Sequence, residues 1–132
     1  MESEKKVSVL DLLLRPELPD VRKSLPEKRV EVTRLSEIAG EPVAFTLRAL
    51  SYDETRRVQD KPREDQALYA VLYGCKDPDF RDKRLLDPER GIVTPADAVK
   101  ARLTAGEIDE LYIEIQKLSG YLRRTLAEVK NG

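Results

Sequence analysis

Histidine and tryptophan are absent from these 132 residues, and there is a single cysteine, Cys75. Without histidine the usual general base near neutral pH is missing, and Ser-His or Cys-His nucleophile pairs are excluded. One cysteine forms no internal disulfide. The glycines stand apart, at positions 40, 74, 91, 106, 120 and 132, so no phosphate-cradling loop of closely spaced glycines exists. The longest nearly apolar run, Val7 to Leu14, is interrupted by Ser8 and Asp11 and is too short to span a bilayer. No early stretch joins a basic start to a long apolar run and a small-residue cleavage site; with the lone cysteine, this predicts a reducing cytoplasm. A surplus of one charge is lacking too. The chain sets 24 Lys+Arg against 25 Asp+Glu, interleaved to a net of -1, so no large field gathers nucleic acid or acidic lipid. Neither is expected as a partner.

What is present suffices for one folded domain. Hydrophobic residues make up 40% of the chain, and a domain of this length buries about two-thirds of its unfolded surface without metals or disulfides. Ser8 with Asp11, ahead of Leu12, Leu13 and Leu14, has the form of a helix cap, predicting a short helix over 8–14 with Leu10, Leu13 and Leu14 on one face. Pro16, Pro19 and Pro26 then discourage helix and ladder pairing. Residues 1–28 therefore read as an arm on a tether, and 29–132 as the domain. Strict alternation over Arg29 to Leu35 places Val30, Val32 and Arg34 on one strand face, and Val43, Phe45 and Leu47 line a second strand, making an antiparallel hairpin within 29–50.

Helices follow. Ser51 with Glu54 forms a capping box opening a polar helix over about 51–60, and Pro62 separates it from a helix over 63–75 whose stripe is Leu68, Val71, Leu72 and Cys75. Residues 76–91 read as a loop with one turn near Lys83 to Leu86, anchored by Phe80, Leu85 and Leu86. Thr94-Pro95 starts a helix over 95–104, and Thr104 with Glu107 starts the last, over 105–130. Its stripe of Ile108, Leu111, Tyr112, Ile115, Leu118, Leu122, Leu126 and Val129 keeps phase across Gly120, which predicts one long amphipathic helix weakened there. The fold class expected is α+β, mostly α-helical.

Candidates for chemistry are few. Asp77, Asp79 and Asp82 share a loop but lack the further ligands and the glycine of a calcium loop, so turn formation is the reading, with metal-dependent catalysis the distant rival. Cys75 reads as a small core hydrophobe. The pairs Arg56-Arg57 and Arg123-Arg124 stand beside acids without aromatic platforms and read as solvated faces. No catalytic, cofactor or metal residue is assigned. The Leu-rich arm, through Leu10, Leu13 and Leu14, docks either on its own domain or on another chain, including a copy of itself. Tyr112, Tyr121 and Leu122 on the last helix serve either the core or a protein contact.

In order and spacing, several segments carry a resemblance: Leu10-Asp11-Leu12-Leu13-Leu14, Val32-Thr33-Arg34-Leu35, Phe45-Thr46-Leu47-Arg48-Ala49-Leu50, and Cys75-Lys76-Asp77-Pro78-Asp79-Phe80 with Leu85. Thr94-Pro95, Gly106-Glu107-Ile108 with Leu111 and Ile115, Leu118-Ser119-Gly120-Tyr121 and Lys130-Asn131 complete it. The chain resembles the XkdN-like tail-assembly chaperones of long-tailed bacteriophages and prophages. The resemblance implies a non-catalytic protein without cofactors. It would bind the tape measure protein and help tail-tube protein polymerise around it in the cytoplasm of the bacterial host, and would be missing from the mature virion. It also implies production in two forms by ribosomal frameshifting, with the terminus at Lys130-Asn131-Gly132 matching a short form. A small DNA-binding or regulatory protein of a mobile element, using residues 94–118 as a helix-turn-helix-like pair, is the alternative.

Overall fold

A computed structural model describes residues 8–130; the start of the expected arm, and Asn131 and Gly132, lie outside the described residues. Helix α1 covers Val9–Leu13, capped by Ser8 Oγ, which accepts the Asp11 N–H at 3.0 Å. The expected helix at the arm is therefore present, and it buries none of its residues.

Strand β1 (Glu27–Glu31) pairs antiparallel with β2 (Ala44–Arg48), with Val30 opposite Phe45 and Lys28 opposite Leu47. Phe45 and Leu47 are buried and alternate with the half-buried Ala44, Thr46 and Arg48, as the period of two requires. The first strand ends earlier than the sequence reading placed it. Arg34 and Leu35 belong to a helix, α2 (Thr33–Ala39), set between the two strands. Alternation over seven residues cannot distinguish a strand from a strand running into a helix. The better signal was Gly40, which ends α2 at φ +74°, a left-handed conformation suited to glycine.

Helix α3 (Tyr52–Gln59) begins at the expected Ser51/Glu54 capping box. A single 3-10 turn, Arg63–Asp65, leads into α4 (Gln66–Gly74). The expected stripe keeps Val71 and Leu72 in the core, but Cys75 does not extend the helix. It opens a third strand, β3 (Cys75–Asp77), antiparallel to β2 with Cys75 opposite Leu47, so the sheet order is β1-β2-β3. Gly74, the last residue of α4, lies against Ile115 of the last helix, leaving no room there for a side chain. Two 3-10 turns, Lys83–Leu85 and Pro88–Arg90, occupy the loop that follows. Phe80 is buried from this loop, its ring edge-on to Phe45 at 5.9 Å.

Helices α5 (Pro95–Arg102) and α6 (Ala105–Leu118) both start at complete capping boxes. Ala98, Val99, Leu103, Ile108, Leu111 and Ile115 join Phe45, Leu47 and Val71 in one core. Each of these side chains larger than alanine contributes about 1.5–3 kcal/mol by leaving water.

The last helix is shorter than the stripe predicts: it stops at Leu118 rather than near 130. Gly120 sits at φ +94°; its N–H donates to the Lys117 carbonyl, and the Tyr121 N–H donates to that of Gln116 at 2.8 Å. Those two bonds form a Schellman stop, which satisfies the terminal carbonyls better than a continued helix with glycine inside it. Residues 121–130 are non-helical, with Leu122, Leu126 and Val129 exposed.

Candidate functional site

Strand β2 exits through Ala49 and Leu50, and these two adjacent residues hold both ends of the folded body. The Ala49 N–H donates to the Pro26 carbonyl at 2.8 Å, fixing where the tether leaves. The Leu50 N–H donates to Ser119 Oγ at 2.9 Å, fixing where α6 ends, while the Ser119 hydroxyl donates back to the Ile115 carbonyl at 2.7 Å. Arm and tail therefore depart from one rim.

Beside that rim lies a cleft between α3 and α6, lined chiefly by Leu50, Thr55, Val58, Tyr112, Gln116 and Tyr121. Its volume of ≈ 70 Å³ is far below the roughly 300–1,000 Å³ of small-molecule sites. It has room for one branched aliphatic side chain. Arg48 steadies the α3 wall: its guanidinium donates to both carboxylate oxygens of Glu54, at 2.7 and 2.6 Å. Burial alone raises the Glu54 pKa, but the hydrogen bonds from Arg48 and from the Ser51 N–H outweigh it and bring it down to about 2.

Of the residues proposed from sequence, Tyr112 and Tyr121 meet in this cleft. Leu122, at φ +63° and 62% exposed, is not among the residues that line it. Leu10, Leu13 and Leu14 sit on the arm, 65–73% exposed. Sequence reading missed the α3 wall, because α3 looked uniformly polar. Val58, its one buried residue, was the available signal.

Other candidates are held locally. Asp79 and Asp82 accept the backbone N–H groups of Arg81 and Arg84 at 2.9 Å each, closing short turns. Asp82 is drawn down to about 2 by the Arg84 side chain bonded to it. Cys75 is buried, and burial, helped by the charges of Asp77 and Asp79, pushes its thiol up to about 12, so it is not a nucleophile at neutral pH. Arg56 lies over the Tyr52 ring at 5.9 Å on an exposed face of α3. Among the described residues no cluster of three or more potential ligands could hold a metal ion, and no helix is long and apolar enough to cross a membrane.

The fold thus defines a small α+β domain whose exposed large apolar side chains lie mostly on two terminal segments, with Ile38, Tyr52, Val93 and Ile113 exposed on the body. The chain belongs to the phage XkdN-like tail assembly chaperone proteins, whose family model matches residues 10–131. No match to the chain was found among curated proteins or among solved structures.

Proposed function

We propose that this tail assembly chaperone binds apolar helical stretches of the tape measure protein and keeps them soluble until tail-tube subunits enclose them, without catalysing any reaction. The observation that carries this reading is where the exposed apolar residues lie. Val9, Leu10, Leu12, Leu13 and Leu14 stand on the arm, and Tyr121, Leu122, Leu126 and Val129 on the tail, both leaving from one rim. Exposed leucines invite aggregation unless a partner covers them. A helical client presents stripes that such segments cover by helix-in-groove contacts. Release during tube growth requires small interfaces used in several copies rather than one tight complex. The protein would act inside the host during assembly and be left out of the virion.

Co-expression with the tape measure protein tests this. The expected result is a severalfold rise in soluble tape measure protein, reduced when Leu10, Leu13 and Leu14 are replaced by serine. Equal precipitation with and without the chaperone would overturn the proposal.

A further inference from the structure

We infer that the arm closes on its own domain: α1 seats against the cleft between α3 and α6, and a client has to displace it. Three observations lead there. Helix α1 has five residues and buries none of them, whereas isolated helices shorter than about 12–15 residues are marginal in water. A surface is needed to keep it folded.

The tether's path supplies that surface. Pro26 is fastened to Ala49, next to Leu50 of the cleft wall. Leu25 is half-buried and, with Arg22, lines a depression against Arg48, Ser51, Asp53 and Arg57 at the start of α3. The tether thus runs beside the helix whose other flank, at Thr55 and Val58, forms the cleft. Residues 15–25 reach at most about 36 Å at ~3.3 Å each, and a helix is about 10–12 Å across. Rounding α3 is within that reach even with the turns at Leu18 and Lys23. A tether this short gives the arm an effective concentration of order millimolar at the cleft.

The surfaces also match. The cleft takes one aliphatic side chain, and α1 offers Leu10, Leu13 and Leu14 together. Closure seats one of these leucines in the cleft while no client is present. It also weakens client binding by the fraction of molecules that stay closed. That competition rests on the chaperone reading; closure itself does not.

A cross-link in the full chain, with no client present, tests it. In a Cys75→Ala background, Leu13→Cys combined with Gln116→Cys is oxidised mildly. The expected product is a faster-migrating monomer on a non-reducing gel, at least fivefold more abundant than with Leu13→Cys and Glu37→Cys. Equal yields, no cross-link, or mainly linked dimers, which would place the arm on a second copy, overturn closure. A second readout needs no cysteine pair. In the wild-type chain the Leu12 to Leu14 amides should exchange at least tenfold more slowly than a free peptide, and Gln116→Trp, which fills the cleft, should abolish that protection. Unprotected amides, or protection indifferent to Gln116→Trp, would also overturn it. Lost closure with client capture intact removes this inference and leaves the assembly role standing.

Discussion

Arg34 grips Glu107 with two parallel hydrogen bonds, Nε and Nη2 each 2.9 Å from a carboxylate oxygen, and Nη2 also donates to the Arg102 carbonyl at 2.9 Å. The same carboxylate accepts the Thr104 N–H at 2.8 Å as half of the α6 capping box. One side chain thus closes a helix start and joins α2 to the turn between α5 and α6. Glu107→Ala should cost about 1–2 kcal/mol, because it removes both cap and pair. Arg34→Ala should cost less, the pair being partly open to water. Thermal unfolding of the two variants checks the order.

Acid should loosen the fold chiefly through the two carboxylates that tie α3 to β2 and α6 to α2. Glu107, held chiefly by its hydrogen bonds from Arg34, and Glu54 both sit at about 2, below the ~4.3 of an unfolded glutamate. Their contribution is complete above about pH 5 and lost as pH falls through about 4.5 toward 2, on the order of 1–3 kcal/mol together after solvent screening. Melting temperature followed from pH 6 to pH 3 should fall, and Glu54→Gln should flatten the slope. An unchanged slope would remove Glu54 from the account.

Gly74→Ala should be far worse than a helix propensity scale implies. A methyl there would lie 2.7 Å from Ile115 Cδ1 and 3.0 Å from both Cγ atoms, and Ile115 is fully buried. The cost expected is about 1–3 kcal/mol. Adding Ile115→Val, which trims one of those contacts, should recover part of it. Additive losses in the double variant would count against close packing as the cause.

Core and arm should separate cleanly. Leu47→Ala, at a position with no exposure, should cost about 2–5 kcal/mol. Replacing Leu10, Leu13 and Leu14 by serine should cost no more than about 1 kcal/mol, the scale of a weak reversible contact, while reducing client capture.

Gly120→Ala should destabilise by roughly 1 kcal/mol, since alanine resists φ +94°. A gain in helical circular dichroism without loss of stability would mean that residues 121–130 can join α6 freely.

The α+β class, the paired β1 and β2, the capping boxes and the buried face of β2 were legible because each follows from local chemistry: period-two alternation at Phe45 and Leu47, and Ser/Thr three residues ahead of an acid. What escaped was decided by neighbours. Helix α2 lay hidden because Val30, Val32 and Arg34 alternate by chance across a strand end. Strand β3 has three residues and pairs only because Leu47 is there to receive Cys75. The stripe of the last helix continued on paper through Leu122, Leu126 and Val129, yet Gly120 found a better set of hydrogen bonds. Of the contact residues, Tyr112 and Tyr121 were readable as amphipathic aromatics. Their opposite wall, Leu50 and Val58, was marked in the sequence only by Val58, a lone aliphatic in a polar helix.

Because Ala49 and Leu50 clasp the two ends of the folded body side by side, the polypeptide is nearly a closed ring. Joining those ends with a brief linker and opening the ring at the exposed Gly40–Glu41 link would preserve the sheet and core while deleting arm and tail at one stroke, isolating the scaffold from its appendages.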